Sequence, residues 1–424
     1  MIDMSDAVPT SRSTGAGSPP APASRPGRRF RFLRALALMG PAFIAGAWQF
    51  GPGNLTSAVQ AGSSFGYALI WVIVVSTALM IMFTDMSVRI AIVSRSSVVE
   101  TVKQTLGRPV GTAAGIGVFA ITLMFAVGNA VGAGLGLSLV LGGSPVWWTL
   151  ACTAVVAAVL LTRGRYGVVE KVLLAIVATM AVCFVVTAVL SRPAWGDAAA
   201  GLLPTIPEGT GLLLVALVGT NFSINAAFYT GYASRERGLR RDQYRQTTLA
   251  DTIPGIVAPG VMTALVIIAA AAVLGGDDSA SLAQLAGVLD PIAGDAGRII
   301  FALGFFGAAF SSMIANATAG GTLLSDGLGW GNQLSSMRVR AGIVGVLAFG
   351  ALIAAVAGGS PVQLIITAQA LTVVVAPLLG VLLVILANNR RLMGELRNRW
   401  WQNAISAIGL LAILATCYRL ITSF

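Results

Sequence analysis

Two short polar segments carry the residue types that could form a binding site, and each of them interrupts a long apolar run. The first segment is Gly51-Pro52-Gly53-Asn54. Proline lacks a backbone donor and clashes with the preceding turn, and glycine disfavours helix, so this segment should break a helix. The second segment, 219–225, reads Gly-Thr-Asn-Phe-Ser-Ile-Asn. It has no proline, so its break is predicted from its polarity.

The side chains at these segments are amides and hydroxyls, which bind through neutral oxygen and nitrogen atoms. The residues that we predict to bind substrate are Gly51, Gly53, Asn54, Thr220, Asn221, Ser223, Asn225 and Gln369. For Gln369 two interpretations stay open, namely a substrate contact and a hydrogen bond between helices.

The chain contains no histidine. This excludes histidine metal ligands, imidazole proton relays and histidine-based triads. No nucleophile–base pair and no pair of acids lies within an apolar run. We therefore expect no enzyme activity, no catalytic residue, no metal-ligand cluster and no cofactor.

The elements that position these residues must be membrane helices. Charged residues make up 10% of the 424 residues and hydrophobic residues 56%, whereas soluble domains are about 25% charged. Apolar runs that can cross a bilayer core of about 30 Å recur, which predicts an all-α polytopic membrane protein with about eleven transmembrane helices. The predicted spans are Ala35–Ser64, Tyr67–Val88, Ala113–Leu141, Val146–Leu161, Val168–Leu190, Thr210–Ala233, Thr252–Leu274, Ile299–Leu323, Val339–Ala357, Val362–Ala387 and Ala404–Thr422.

The formal net charge of +11 is concentrated in alternate loops between these spans. The basic residues of the predicted cytoplasmic loops lie at 25–34, 95–108, 163–165, 235–245, 338–340 and 390–399, and the opposite loops hold only Arg192 and Arg298. The positive-inside rule then predicts a cell-membrane protein with its N-terminus in the cytoplasm and its C-terminus outside. This distribution argues against a nucleic-acid partner. The expected partners are a small solute or ion and the lipid bilayer, with no obligate protein partner.

The positions of the two broken spans predict the domain organisation. They are the first members of two five-helix sets, repeat one at about 35–190 and repeat two at about 210–387, followed by an extra helix at about 404–422. Paired discontinuous helices are typical of inverted-repeat transporters with a mid-membrane site. The alternative for each break is a kink whose Asn and Ser residues bond to neighbouring helices. Residues 1–34 should form a disordered basic tail, with a secretory signal as the less favoured interpretation, and 35–424 a single transmembrane domain.

Residues 51–62, Gly-Pro-Gly-Asn-Leu-Thr-Ser-Ala-Val-Gln-Ala-Gly, resemble the Asp-Pro-Gly-Asn signature of the Nramp divalent-metal transporters and the Gln-Ala-Gly that follows it. Further similar positions are Gly201-Leu202-Leu203-Pro204, Leu303-Gly304, Ser311-Ser312, Ala319-Gly320, Ala368-Gln369, Pro377 and 389–394. The resemblance covers about residues 35 to 420. It implies a LeuT-like inverted five-helix repeat with helices 1 and 6 interrupted, and a secondary transporter that works by alternating access.

The resemblance fails at the residues that bind metal and carry protons in the family. The metal-binding aspartate of the family corresponds to Gly51, and its Met-Pro-His corresponds to residues 223–225, Ser-Ile-Asn. A further histidine corresponds to Thr230. The Asp and Glu of the family's proton route correspond to Ala126 and Asn129. Only uncharged polar members of the family's site are kept.

These replacements decide the predicted substrate. Carboxylate and thioether ligands suit Mn²⁺ or Fe²⁺, whereas an uncharged site leaves a buried dication uncompensated. We therefore predict a small anion, zwitterion or neutral polar solute, and no proton-coupled transport of transition metals. One alternative is a divalent metal cation transporter, for Mg²⁺ or another ion, as family ancestry suggests. Another is a non-transporting membrane receptor on the same scaffold.

The remaining charges near span ends have structural interpretations. Asp85 and Arg89, four residues apart, should form an ion pair at the membrane interface. Asp251 should cap the helix that follows it, and Asp326 should end a helix. The glycines that should permit close helix packing are Gly128, Gly132, Gly134 and Gly136.

Overall fold

The computed structural model describes residues 40, 42, 46, 48–162, 166–276, 282–357 and 360–422, without the side chains of 166–176, 282, 285, 291, 292 and 422. The predicted tail 1–34 lies outside these residues. The described residues contain helices, turns and bends, and no strand. The helices of at least six residues are α1 (Pro52–Phe65), α2 (Ile70–Ser94), α3 (Val98–Leu106), α4 (Arg108–Leu141), α5 (Pro145–Leu161), α6 (Tyr166–Leu190), α7 (Trp195–Ala200), α8 (Gly211–Asn221), α9 (Ile224–Glu236), α10 (Ile253–Leu274), α11 (Asp290–Gly327), α12 (Met337–Val356), α13 (Pro361–Leu371), α14 (Ala376–Asn388) and α15 (Trp400–Thr422).

Each predicted span after the first coincides with one of these helices or with a consecutive pair. Among the described residues, eight helical segments are long and apolar enough to cross a membrane, and α5 and Val177–Leu190 are shorter apolar helices. The largest difference lies in α11, which begins at Asp290 rather than near Ile299 and changes direction at Gly294 (φ 50°). The expectation of an all-α polytopic membrane protein is confirmed.

The first predicted span is broken at the position that the sequence indicated. Trp48 and Gln49 are helical, Phe50 is in a turn, and Gly51 is extended with φ −81° and ψ 179°. Helix α1 then begins at Pro52. A proline at the first helical position is favourable because its missing N–H would have no partner there.

The second predicted break is also present, although no proline enforces it. Phe222 (φ −93°, ψ 64°) and Ser223 (φ −77°, ψ 78°) separate α8 from α9. The break is narrower than the polar segment, because residues 219–221 remain in α8 and Ile224 already belongs to α9. The predicted span Thr210–Ala233 is therefore interrupted at two residues.

Helix α4 packs closely on neighbouring helices through its glycines, as predicted. A Cβ atom on Gly136 would lie 2.8 Å from the backbone nitrogen of Phe306, and one on Gly115 would lie 2.6 Å from Cα of Gly327. Gly132 is equally close to Pro52, with 2.6 Å to its Cβ. Helices in membranes approach each other most closely where small residues meet. The close contact between Gly132 and Pro52 places the first break against α4.

Asp251 caps a helix, but not the one that was predicted. It lies inside a single π-helical turn, Thr248–Thr252, rather than at the start of α10. Its carboxylate accepts backbone N–H hydrogen bonds from Gly40 (2.7 Å) and Ala42 (3.2 Å). The first N–H groups of a helix lack intrahelical partners and favour a negative charge. Asp251 thus stabilises the start of the broken first helix, more than two hundred residues earlier in the sequence.

The predicted ion pair between Asp85 and Arg89 forms, with 2.8 Å between Oδ2 and Nε. Both residues are buried within the protein, with Asp85 8% and Arg89 3% exposed, and their position at the membrane interface stays a prediction. Arg89 is buried since it also donates to the backbone oxygen of Leu396 (2.6 Å). Asp326 lies at the end of α11, as predicted, and accepts a hydrogen bond from Ser97.

Candidate substrate site

The two helix breaks lie against polar side chains of three other helices. A Cβ atom on Gly51 would lie 3.1 Å from Oγ of Ser312 in α11 and 3.7 Å from Oδ1 of Asn129 in α4. One on Gly53 would overlap the amide of Gln369 in α13. Gly51, which corresponds to the metal-binding aspartate in the resemblance, thus lies beside a hydroxyl and an amide.

Several buried polar atoms without a hydrogen-bond partner lie around these breaks, and others are found elsewhere in the described residues. Within the described residues they include Nδ2 of Asn54 and Asn129, Oδ1 of Asn225, Oγ of Ser312, and both amide atoms of Gln369. None of these five residues is more than 2% exposed. Leaving such a group unpaired costs about 1–3 kcal/mol, so proteins rarely do it without a functional reason. Together these residues form what we call the amide site.

Gln369 packs against glycines of three other helices, α1, α4 and α8. Its side chain fills the space beside Gly53 and Gly128, where a Cβ atom on either glycine would collide with it. Its backbone oxygen would lie 2.5 Å from a Cβ atom on Gly219. Because neither amide atom is hydrogen-bonded among the described residues, a bond between helices does not account for Gln369. This favours the interpretation of Gln369 as a substrate contact.

Three predicted residues at the second break use their donors within their own helix. Thr220 Oγ1 donates to the backbone oxygen of Ala216 or Leu217, Asn221 Nδ2 to that of Leu217 (3.2 Å), and Ser223 Oγ to that of Thr220 (2.8 Å). Of these acceptors, only the carbonyl of Thr220 is among the last four of α8, which have no intrahelical partner. The three side chains therefore shape the break rather than present free donors.

The two breaks are connected directly. Nε2 of Gln49, in the last helical turn before the first break, donates to the backbone oxygen of Asn221 at the end of α8 (3.3 Å). Trp48 packs on Tyr229 of α9 with 4.9 Å between ring centroids. The first half of one broken helix therefore contacts both halves of the other, and sequence reasoning did not identify Gln49 or Trp48.

Further polar residues at the amide site were also missed by sequence reasoning. Nδ2 of Asn225 donates to Oδ1 of Asn316 (3.1 Å), and Nδ2 of Asn316 donates to the backbone oxygen of Ser312 (3.1 Å). Oγ1 of Thr263 lies 2.8 Å from Oδ1 of Asn54. A signal was present for two of them: Ser312 and Asn316 are four residues apart, which places both on one face of an apolar helix.

The amide site contains amides and hydroxyls but no carboxylate or thioether. Among the described residues there is also no group of three or more Cys, Asp or Glu that could hold a metal ion. Ala126, which corresponds to an acidic residue of the family's proton route, packs in an apolar cluster with Phe310 and Met313. The site can donate and accept hydrogen bonds, and it offers no group that titrates near neutral pH.

Comparison with known proteins points to one family. A family model described as Nramp, Natural resistance-associated macrophage protein-like, matches residues 42–423. The divalent metal cation transporter MntH of Klebsiella pneumoniae is 28% identical over 377 residues, covering 87% of this chain and 90% of the relative. MntH of Erwinia tasmaniensis is 26% identical over 406 residues, covering 94% of this chain and 96% of the relative.

Solved structures agree on the fold. The Eremococcus coleocola manganese transporter, in complex with an aromatic bis-isothiourea substituted compound, matches with a TM-score of 0.73 and 18% identity, covering 94% of this chain and 88% of that one. MhsT in complex with L-phenylalanine matches with a TM-score of 0.55 and 15% identity, covering 89% and 98%. At these identities the structural similarity shows the fold alone.

Proposed function

The chain belongs to the Nramp family and is a multi-pass membrane transporter with a LeuT-like fold, and we propose that it moves a small anion, zwitterion or neutral polar solute. The observation that carries this proposal is the amide site, where buried amides and a hydroxyl from five helices converge on two helix breaks. In folds with paired broken helices the substrate binds at these breaks, and transport follows from alternating access. The protein would then be a secondary transporter.

The chemistry of the site supports an uncharged or anionic substrate group. A dication enclosed by neutral amides and hydroxyls would keep most of its desolvation cost, which amounts to several kcal/mol. Helix α1 begins at the site with Pro52, so the N–H groups of Gly53 and Asn54 lie at a helix N-terminus. Such N–H groups carry partial positive charge and favour an anionic substrate group.

A second candidate is transport of a divalent metal cation. It is favoured by the MntH relatives, which are named divalent metal cation transporters and span most of this chain. Mg²⁺ usually keeps several waters, so it needs fewer direct protein ligands than Mn²⁺. In this case the oxygens of Asn54, Asn129 and Ser312 would contact the waters of the ion rather than the ion itself.

A ligand screen followed by flux measurements distinguishes the candidates. A true substrate stabilises the folded state by mass action, so thermal shifts of the purified protein should identify it among small anions, amino acids, polar solutes, Mg²⁺ and Mn²⁺. The hit is then tested for uptake into proteoliposomes. We expect flux that Asn54→Ala abolishes and that Asn332→Ala, a matched change outside the site, leaves intact.

Each outcome of this experiment bears on one candidate. Stoichiometric, tight binding of Mn²⁺ that Asn54→Ala removes would overturn the proposal of a non-metal substrate. Calorimetric binding and flux of Mg²⁺ would support the second candidate instead. If the protein is folded but transports no solute in the screen, the result favours the alternative of a non-transporting receptor.

We also propose an orientation in the membrane and the limits of the transmembrane domain. The arginine-rich loops favour a cell-membrane protein with a cytoplasmic N-terminus and an external C-terminus. The two breaks favour a single transmembrane domain at 35–424, with repeats at about 35–190 and 210–387 and an extra helix at about 404–422. Labelling of single cysteines introduced at Arg192 and Arg390 with an impermeant reagent in intact cells tests the orientation: only the first should react.

A further inference from the structure

A cavity of about 1090 Å³ lies outside the amide site, and none of its lining residues belongs to that site. We call it the arginine pocket. Ligand sites are typically about 300–1,000 Å³, so the arginine pocket is large enough for a small molecule or a lipid headgroup. Its charged lining residues are Arg95, Arg235, Arg240, Arg241, Arg391 and Asp242. Five positive groups thus face one negative group.

These arginines come from four separate segments of the chain. Arg95 follows the end of α2, and Arg235 lies in the last turn of α9. Arg240 and Arg241 begin the segment that leads toward α10, and Arg391 belongs to the short turn after α14. Like charges repel each other, and the repulsion is stronger beside a protein wall than in open water. These charges lie together in one pocket only because of the tertiary structure.

Among the described residues, acidic side chains neutralise only part of the charge of the arginine pocket. Asp242 lies 3.6 Å from Arg240, and Glu236 pairs with Arg235, its neighbour in sequence. The guanidinium groups of Arg95 and Arg391 have no hydrogen bond or ion pair with any described residue, and both side chains are exposed to the pocket's solvent. Two planar donors with unused hydrogen-bonding capacity therefore face the cavity.

The backbone of Arg95 has a conformation that is unusual for a residue with a side chain. Arg95 ends α2 in the left-handed conformation, with φ 54° and ψ 18°, and its N–H donates to the oxygen of Ala91 (3.1 Å). Glycine is the usual residue at such a helix end, because it has no Cβ to clash. Strained residues of this kind are concentrated at functional sites. The strained position therefore supports a functional role for the Arg95 side chain.

We propose that the arginine pocket binds a phosphate-bearing anion, with Arg95 and Arg391 as its main contacts. Guanidinium groups form paired, charge-assisted hydrogen bonds with phosphate oxygens, and arginine is the residue best suited to that geometry. The phosphate could belong to an anionic phospholipid headgroup or to a soluble compound. Basic pockets between transmembrane helices are known to accept lipid headgroups.

A second cavity beside the arginine pocket has residues that are typical of a lipid-facing surface. It has a volume of about 730 Å³, shares Gly394 with the arginine pocket, and is lined by Arg397, Trp400 and Trp401 among others. Tryptophan is enriched where membrane meets water, with its ring at the level of the headgroups. A phospholipid at this edge could place its phosphate in the arginine pocket.

The test is a titration of the purified full chain with two probes at fixed ionic strength. Inorganic phosphate represents the soluble source, and short-chain phosphatidylglycerol the lipid source, with phosphatidylcholine of the same chain length as the control lipid. The key variant is Arg95→Gly, because it removes the guanidinium and also relieves the strained backbone. It should therefore fold at least as well as the original protein.

The matched control is Arg192→Gly. Arg192 is the other non-glycine residue at positive φ in the described part of the chain (φ 49°), and it does not line the pocket. For whichever probe binds to the original protein, we expect Arg95→Gly to weaken the affinity at least tenfold and Arg192→Gly to leave it unchanged. Adding Arg391→Gln to Arg95→Gly should abolish binding.

The two probes decide the source of the phosphate. Binding of phosphatidylglycerol but not of inorganic phosphate would assign the pocket to a lipid headgroup, and binding of inorganic phosphate would assign it to a soluble compound. The proposal is overturned if neither probe binds, or if the double variant binds as tightly as the original protein. Because binding is measured directly, this result does not depend on whether the protein transports a solute.

Discussion

Asp85 and Arg89 form an ion pair one turn apart on α2, with 2.8 Å between Oδ2 and Nε, in the interior of the protein. The other carboxylate oxygen accepts a hydrogen bond from the hydroxyl of Tyr244 (2.6 Å), and Arg89 also donates to Oδ1 of Asn398 (2.8 Å). This network connects α2 to the segment after α9 and to the segment after α14. All its charged hydrogen-bonding groups have partners, which is the condition for a buried pair to be tolerated.

The first prediction concerns the stability that depends on this network. Asp85→Asn leaves the Arg89 charge buried without a counter-charge, which should cost about 3–5 kcal/mol of unfolding free energy. Asp242→Asn removes a partner from an ion pair whose side chains are 78% and 73% exposed, and should cost about 0–1 kcal/mol. Denaturant unfolding in detergent measures both. Equal effects of the two substitutions would show that the buried network does not stabilise the fold.

The second prediction concerns Gln369. Its amide atoms have no partner among the described residues, so Gln369→Ala removes groups that are costly to bury and should change stability little. Flux of the identified substrate should nevertheless fall at least tenfold. Gln363→Ala, on an exposed position of the same helix, serves as the control and should transport normally. A large loss of stability together with normal specific flux would assign Gln369 a packing role instead.

The third prediction concerns Gly51. A carboxylate introduced by Gly51→Asp would lie beside Ser312 and Asn129, and should raise the affinity for Mn²⁺ at least tenfold because it supplies the missing negative charge. Calorimetry measures the gain. Gly211→Asp adds the same charge at an open position and should produce no such gain. If Gly51→Asp folds and its affinity for Mn²⁺ is unchanged, the lack of an acid at this position does not explain the choice of substrate.

The fourth prediction concerns proton coupling. A proton route normally needs titratable groups, and the two positions of the family's route are occupied by Ala126 and Asn129. Transport should therefore proceed without obligatory proton co-transport along this route. Proteoliposomes that contain a pH-sensitive dye should show no substrate-dependent acidification. Acidification that persists in Asp85→Asn and Asp251→Asn would reveal a proton route elsewhere in the protein.

Several features of the fold followed from local sequence. The spans were predictable because a bilayer core demands about 20 apolar residues per helix, and that length is visible without any knowledge of packing. The first break was predictable because Pro52 and its flanking glycines oppose a continuous helix whatever surrounds them. The second break at Phe222 and Ser223 was less sharply defined, because polar residues permit an interruption without specifying its position.

The composition of the candidate site was likewise contained in the sequence, whereas its arrangement was not. That no acid, histidine or methionine stands at the positions matching the family's ligands could be read directly from the chain. The sequence could not predict that Gln369 lies between Gly53 and Gly128, or that Asn225 pairs with Asn316. These residues are distant in sequence, and their contacts depend on how the helices pack.

The sequence by itself determined the positions of the long apolar helices, the break at Gly51 and the uncharged character of the site, since each of these depends on residue type and local spacing. Only the tertiary structure decided which groups meet. It placed Asp251 at the start of the first helix and Arg95 and Arg391 in one pocket. In a membrane, apolar faces do not select one another strongly, so partner choice depends on small residues and polar contacts that form only once the helices have packed.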